Sequence, residues 1–148
     1  MDTIKVYIAD GSELIREAVR SVLLHSSFIF VSGHSGNGEK AFNEIKQTIP
    51  DVVLVDVSLP VMDGWTLSKI LKNTLPSIKI IIMSMNCEVE YLDYAAATGV
   101  NGYILKDETD DFINAICTVM SGDVFISGIL LDNFRKRNCI GGCNFRDN

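Results

Sequence analysis

Proline is scarce in this chain, at 3 of 148 residues, while hydrophobic residues make up 47% and charged residues only 22%. That composition excludes a collagen-like or intrinsically disordered chain. No apolar run approaches the ~18–20 residues that cross a bilayer. The opening Met1-Asp2-Thr3-Ile4-Lys5 lacks the basic segment and apolar stretch of a signal peptide. The expectation is a cytoplasmic protein with no membrane partner. Cysteine is sparse too. Cys139 and Cys143 have no second pair or histidine to complete a tetrahedral zinc site, so reduced thiols are expected. Internal repeats, low-complexity segments and glycine-rich nucleotide fingerprints are all missing.

Basic charge is also in deficit. Thirteen Lys and Arg against 19 Asp and Glu leave a net charge of −6. Residues 132–148 hold four basic and two acidic residues, so residues 1–131 carry −8. Nucleic-acid affinity comes largely from Lys and Arg displacing counterions, so these residues are poorly suited to bind DNA directly.

What the chain does have is alternation. Short apolar runs at Ile4–Ala9, Phe28–Ser32, Val52–Val55, Ile78–Met83 and Gly102–Leu105 are rich in Val and Ile, the signature of strands buried on both faces. Helix-period segments lie between them. Ser12 caps a helix through Leu24 with a stripe of Leu14, Ile15, Ala18, Val19, Val22 and Leu23. Others span Gly38–Thr48, Gly64–Thr74, Cys87–Thr98 and Thr109–Ser121, the last burying Phe112, Ile113, Ile116 and Met120. Asp63-Gly64 is turn chemistry leading into a helix. Five β-α units predict a parallel sheet with helices on both faces and right-handed crossovers. Asp123–Phe134 suggests a short strand-like piece and a last helix, and residues 135–148 a frayed terminus.

In such a sheet, ligands bind beyond the carboxyl ends of the strands. Asp10, Asp56, Ser84 and Lys106 each end an apolar run, and the second run ends in the small residues Gly33 and Ser35. Two carboxylates, a backbone carbonyl and waters suit Mg²⁺. A hydroxyl and an ammonium suit phosphoryl oxygens, and a carboxylate can itself accept a phosphoryl group. His25 and His34 have no matching partners and are read as surface residues.

The segments Ile8-Ala9-Asp10, Pro50-Asp51-Val52-Val53-Leu54-Val55-Asp56-Val57-Ser58-Leu59-Pro60-Val61-Met62-Asp63-Gly64, Ile82-Met83-Ser84 and Gly102-Tyr103-Ile104-Leu105-Lys106 resemble the receiver domain of two-component response regulators. The branch is that of LuxR/NarL-type transcription regulators. The resemblance covers residues 4–121. It implies an α/β, flavodoxin-like (βα)5 doubly wound sheet with strand order 2-1-3-4-5. It also implies that Asp56 accepts a phosphoryl group from a sensor histidine kinase. Asp10, Asp56 and the backbone carbonyl of Ser58 would hold Mg²⁺. Ser84 and Lys106 would bind the phosphoryl group, and Ser58 and Asn86 would tune dephosphorylation. Tyr103 matches an aromatic whose ring turns inward on switching, although a packed edge residue fits the position equally. The output surface implied is the fourth helix, fifth strand and fifth helix, through a homodimer or another partner.

One departure stands out. The family normally carries two consecutive acids after strand one, and here Gly11 follows Asp10. A ligand and a negative charge are lost, so weaker or absent Mg²⁺ binding is expected. Glu13 could compensate, or could simply complement the helix dipole. That departure keeps open a second reading, a phosphorylation-independent interaction module. An aspartate-based phosphatase would want an Asp-x-Asp pair, which neither Asp10-Gly11-Ser12 nor Asp56-Val57-Ser58 supplies. The organisation expected is a receiver over 1–121 and a linker with tail over 122–148. Gly122–Ser127 resembles the linker that precedes a helix-turn-helix in this branch, so DNA contact is expected only through a domain outside these residues.

Overall fold

Each apolar run sends its side chains alternately to two helical layers, which is why the runs are continuous. The computed structural model describes residues 3–85, 90–108, 110–128 and 130–132. The elements are β1 (Ile4–Ala9), α1 (Glu13–Leu23), β2 (Ile29–Ser35), α2 (Gly38–Thr48), β3 (Val52–Asp56), α3 (Gly64–Thr74), β4 (Lys79–Ser84), α4 (Glu90–Thr98), β5 (Gly102–Leu105), α5 (Asp111–Met120) and β6 (Phe125–Ile126). All strands pair in parallel, in the order β2-β1-β3-β4-β5-β6. On one face, Tyr7, Val53, Val55, Ile80, Ile82 and Tyr103 pack with residues of α2, α3 and α4. On the other, Val6, Ile8, Leu54, Ile81, Met83 and Ile104 pack with α1 and α5. Among the described residues, no helix is long and apolar enough to cross a membrane.

Helix starts follow side-chain capping. Ser12 accepts from the Ile15 N–H, Asn37 from Lys40 and Asp63 from Thr66. Asp63 therefore does open α3, as the Asp-Gly pair predicts.

Several expectations need correction. β2 runs to Ser35 rather than stopping at Ser32, because Gly33 lets the Tyr7 ring approach: a Cβ there would sit 3.0 Å from Tyr7 Cε2. Pairing passes from Val6–Val31 to Tyr7–Gly33, so Ser32 is the extra residue of a bulge. Tyr7 hydroxyl then donates to Glu44 Oε1 at 2.6 Å. Leu14 is 79% exposed and does not join the core stripe of α1, which buries Val19 and Leu23. Ala18 is exposed as well, and in α5 Ala115 and Val119 take the place given to Met120. β4 starts at Lys79 and ends at Ser84. Residues 86–89, which hold Asn86 and the predicted start of the fourth helix, lie outside the described residues.

The sheet also continues beyond residue 121. Phe125–Ile126 adds a sixth strand beside β5, and buried Ser127 accepts from the Leu105 N–H at 3.0 Å while donating its own N–H to Tyr103 O at 3.0 Å. Edge strands need such partners for their free backbone groups.

Two glycines are dictated by close approach. A Cβ on Gly64 would collide with the Asp56 carbonyl oxygen, and one on Gly38 with that of Met62. Gly64→Ala should therefore destabilise by about 1–3 kcal/mol in urea unfolding. Gly128→Ala, which meets nothing within 4 Å, should stay within about 0.5 kcal/mol of wild type. Equal losses at both positions would contradict this packing.

Candidate functional site

The crossovers place the carboxyl ends of β1, β3, β4 and β5 along one rim. Asp10 follows β1, Asp56 ends β3, Ser84 ends β4 and Lys106 follows β5. Lys106 Nζ lies 2.7 Å from Asp10 Oδ2 and 3.0 Å from Asp56 Oδ1, so one ammonium sits between two carboxylates. Asp10 is 1% exposed and Asp56 6%. Lys106 arrives there because its own N–H donates to Ser84 O at 2.9 Å, which pins the start of the β5–α5 loop to the end of β4.

Asp10 is held from several sides. Its Oδ1 accepts from the Ser12 N–H at 2.9 Å, leaving Oδ2 for the ion pair. Arg16 Nη1 donates to the Asp10 carbonyl at 2.7 Å, and Arg16 Nε donates to His34 Nδ1 at 3.2 Å. His34 and His25 are both exposed. Asp56 is positioned by its strand and by the tight approach of Gly64 beneath it. The intervening loop carries Val61 at φ 70°, a sterically costly backbone for a β-branched residue.

A polar cleft of about 210 Å³ opens beside the pair, lined by Asp56, Val57, Ser58, Ser84, Met85, Tyr91 and Lys106. Ser58 is exposed and Ser84 buried. Tyr103 is not on the cleft: its ring is 1% exposed within the layer that packs on α2, α3 and α4. Asn86 lies outside the described residues. Gly11 is exposed at the rim, where a Cβ would meet Pro60 Cδ at 3.2 Å. A larger apolar hollow of about 310 Å³ between α4, β5 and β6 bears none of the site carboxylates or amines.

Tyr91 and Met85 are lining residues that helical periodicity assigned elsewhere or passed over. Tyr91 reads as one more apolar position of α4. Its place in the first turn after β4 is the signal that it faces the strand ends.

The donor set suits a hard cation. Mg²⁺ takes oxygen ligands, commonly one or two carboxylates with waters completing the shell. Asp10 and Asp56 converge closely enough to share one cation, and Ser58 lines the cleft beside Asp56. Gly11 adds no side-chain oxygen. Among the described residues, no group of three or more His, Cys, Asp or Glu gathers as a metal cluster.

Residues 6–117 match the response regulator receiver domain family, and the chain belongs to it. It is a receiver of the LuxR/NarL-type branch, and receivers as a family are signalling domains that work as phosphorylation switches. It is 30% identical over 146 residues to the transcriptional regulatory protein LnrK of Bacillus subtilis, covering 95% of this chain and 66% of that protein. It is 34% identical over 142 residues to the uncharacterized transcriptional regulatory protein YxjL of the same species, covering 92% and 65%. Among solved structures, the receiver domain of a putative response regulator NarL from Mycobacterium tuberculosis superposes with TM-score 0.78 at 27% identity, covering 82% of this chain and 99% of that one. The isolated receiver of RcsB from Salmonella enterica, solved with phosphomimetic BeF3−, gives TM-score 0.83 at 24% identity, covering 89% and 99%, a likeness of fold. The chain spans about two thirds or less of the length of these curated relatives. Receivers as a family interact with histidine kinases and generally bind Mg²⁺.

Removing one partner of a buried ion pair strands the others. Lys106→Met should cost about 3–5 kcal/mol of stability, because two desolvated carboxylates lose their shared cation. Adding Asp56→Asn to that variant should recover part of the loss in chemical denaturation. An unchanged midpoint for Lys106→Met would contradict the pairing.

Proposed function

We propose that Asp56 accepts a phosphoryl group from a sensor histidine kinase, and that this chain is the switch of a two-component system controlling transcription. The observation that carries the reading is the single ammonium of Lys106 between Asp10 and Asp56 at the rim of a parallel sheet. An Asp56 oxygen attacks phosphorus as the bond to the donor imidazole nitrogen breaks. The electron pair leaves with that nitrogen, which then takes a proton from water. Lys106 is already within reach of the reacting carboxylate, and Ser84 lies on the same cleft to meet a phosphoryl oxygen. Asp10, Asp56 and the Ser58 carbonyl would hold Mg²⁺, which would supply positive charge against the phosphoryl oxygens.

Phosphorylation would replace the −1 of the Asp56 carboxylate with a group of roughly −1.5 to −2 and add acceptor oxygens, drawing Ser84 inward and holding Lys106 in place. Tyr103 is packed inward in this structure, so the switched state would retain that position and the other state release it. Ser58 and Asn86 would tune hydrolysis. The face made by α4, β5 and α5 would carry a homodimer or another partner. The receiver, with β6 and the buried Ser127 and Leu130 packed onto it, would lead to a DNA-binding domain beyond these residues, in the cytoplasm. Self-catalysed phosphoryl gain and loss is the extent of the enzymology.

Gly11 favours a second reading, a phosphorylation-independent interaction module, since the rim holds one acid fewer than the family pattern. The readings separate cleanly. Acetyl phosphate with Mg²⁺ should add the mass of one phosphoryl group to wild type and none to Asp56→Asn. No addition, or addition that survives the substitution, would contradict the phosphoacceptor reading.

Gly11→Asp should fit with a small adjustment at Pro60. It should tighten Mg²⁺ by about tenfold, a gain of about 1.4 kcal/mol, in calorimetric titration. Unchanged affinity would contradict the view that the missing acid limits the metal site.

A further inference from the structure

The cleft beside Asp56 has an aromatic wall that the family motif does not name. Tyr91, in the first turn of α4, lines it together with Asp56, Ser58, Ser84, Met85 and Lys106. Its side chain is half-buried and in contact with Trp65. Trp65 of α3 meets it edge-on, with ring centroids 6.3 Å apart at 88°. The same indole stacks on Tyr94, one turn further along α4, at 5.6 Å and 30°. Edge-to-face and offset-stacked pairs are the favoured aromatic geometries, so the trio fixes Tyr91 rather than leaving it free to swing.

Among the described residues, the rest of the lining is Asp56, Val57, Ser58, Ser84, Met85 and Lys106. Ser58 and Met85 are exposed, while Asp56 is buried with its Oδ1 3.0 Å from Lys106 Nζ. An acyl phosphate is lost when a water oxygen bonds to phosphorus and the bond to the Asp56 oxygen breaks. The electron pair returns to the carboxylate, inorganic phosphate leaves, and the water's proton passes to solvent. That water must enter the cleft, and a braced aromatic ring narrows the space open to it.

We infer that Tyr91, held by Trp65, is a shielding residue that sets the lifetime of a phosphoryl group on Asp56 by restricting water. The inference rests on the phosphoacceptor reading and adds to it a determinant outside the strand-end residues. The ring is the active feature, not the hydroxyl.

The test loads the chain with acetyl phosphate and Mg²⁺, removes the donor by rapid desalting, and follows loss of phosphoryl mass with time. Tyr91→Ala should lose phosphate several-fold faster than wild type, and Tyr91→Phe at the wild-type rate. Tyr91→Leu, which preserves apolar bulk in α4, should fall between them and serves if the alanine variant unfolds. Thermal unfolding of each variant separates stability from lifetime, since a purely structural role would move the melting temperature and leave the hydrolysis rate unchanged. Equal lifetimes in wild type, Tyr91→Leu and any folded Tyr91→Ala would overturn the inference, as would a Tyr91→Phe variant as fast as Tyr91→Leu. If wild type takes up no phosphoryl group, the phosphoacceptor reading itself fails and the shielding role falls with it.

Discussion

One ammonium between two buried carboxylates is the constraint on which the rest of this structure depends. Asp10 and Asp56 come from adjacent strands, and Lys106 reaches them from beyond β4. Burying two like charges side by side is costly unless a cation is shared and the remaining oxygens are bonded. The fold meets both conditions for Asp10, whose second oxygen takes the Ser12 N–H while Arg16 grips its carbonyl. What results is a compact charged site whose balance a doubly charged group would upset. A site built on such a balance is suited to switching.

The surrounding loops hold that site by steric necessity as much as by attraction. Gly64 lies against the Asp56 carbonyl, and Gly38 against that of Met62, so α2 and α3 both dock on the end of β3 and the loop that follows it. Val61 keeps an unfavourable backbone within that loop. Beyond Lys106, Ser127 satisfies the edge of β5 and Leu130 is fully buried, which ties residues after the fifth helix to the strand that bears Tyr103. A change in β5 therefore has a bonded route toward the segment that follows.

Much of this was legible in the sequence because parallel strands buried on two faces read as unbroken Val/Ile runs, and the residue ending each run is then conspicuous. Asp10, Asp56, Ser84 and Lys106 were found in that way, and the structure brings three of them into one ion-paired cluster with Ser84 on the adjoining cleft. The second half of β2 was not legible. Gly33-His34-Ser35 looks like a loop, and only the Tyr7 ring on the neighbouring strand explains why glycine is required at 33. Leu14 was misassigned because helical spacing fixes a stripe without saying where the partner helix stops covering it. Tyr91 escaped notice for a related reason: its spacing marks the face of α4, whereas its height on the helix puts it at the cleft.

The account's central claim is chemical: a labile acyl phosphate forms on one particular carboxylate. Borohydride reduces an acyl phosphate to the alcohol, so treating the phosphorylated chain and sequencing its peptides would mark the acceptor. The account predicts homoserine at position 56 and at no other aspartate. Homoserine elsewhere, or none from a chain that carries phosphate, would contradict it.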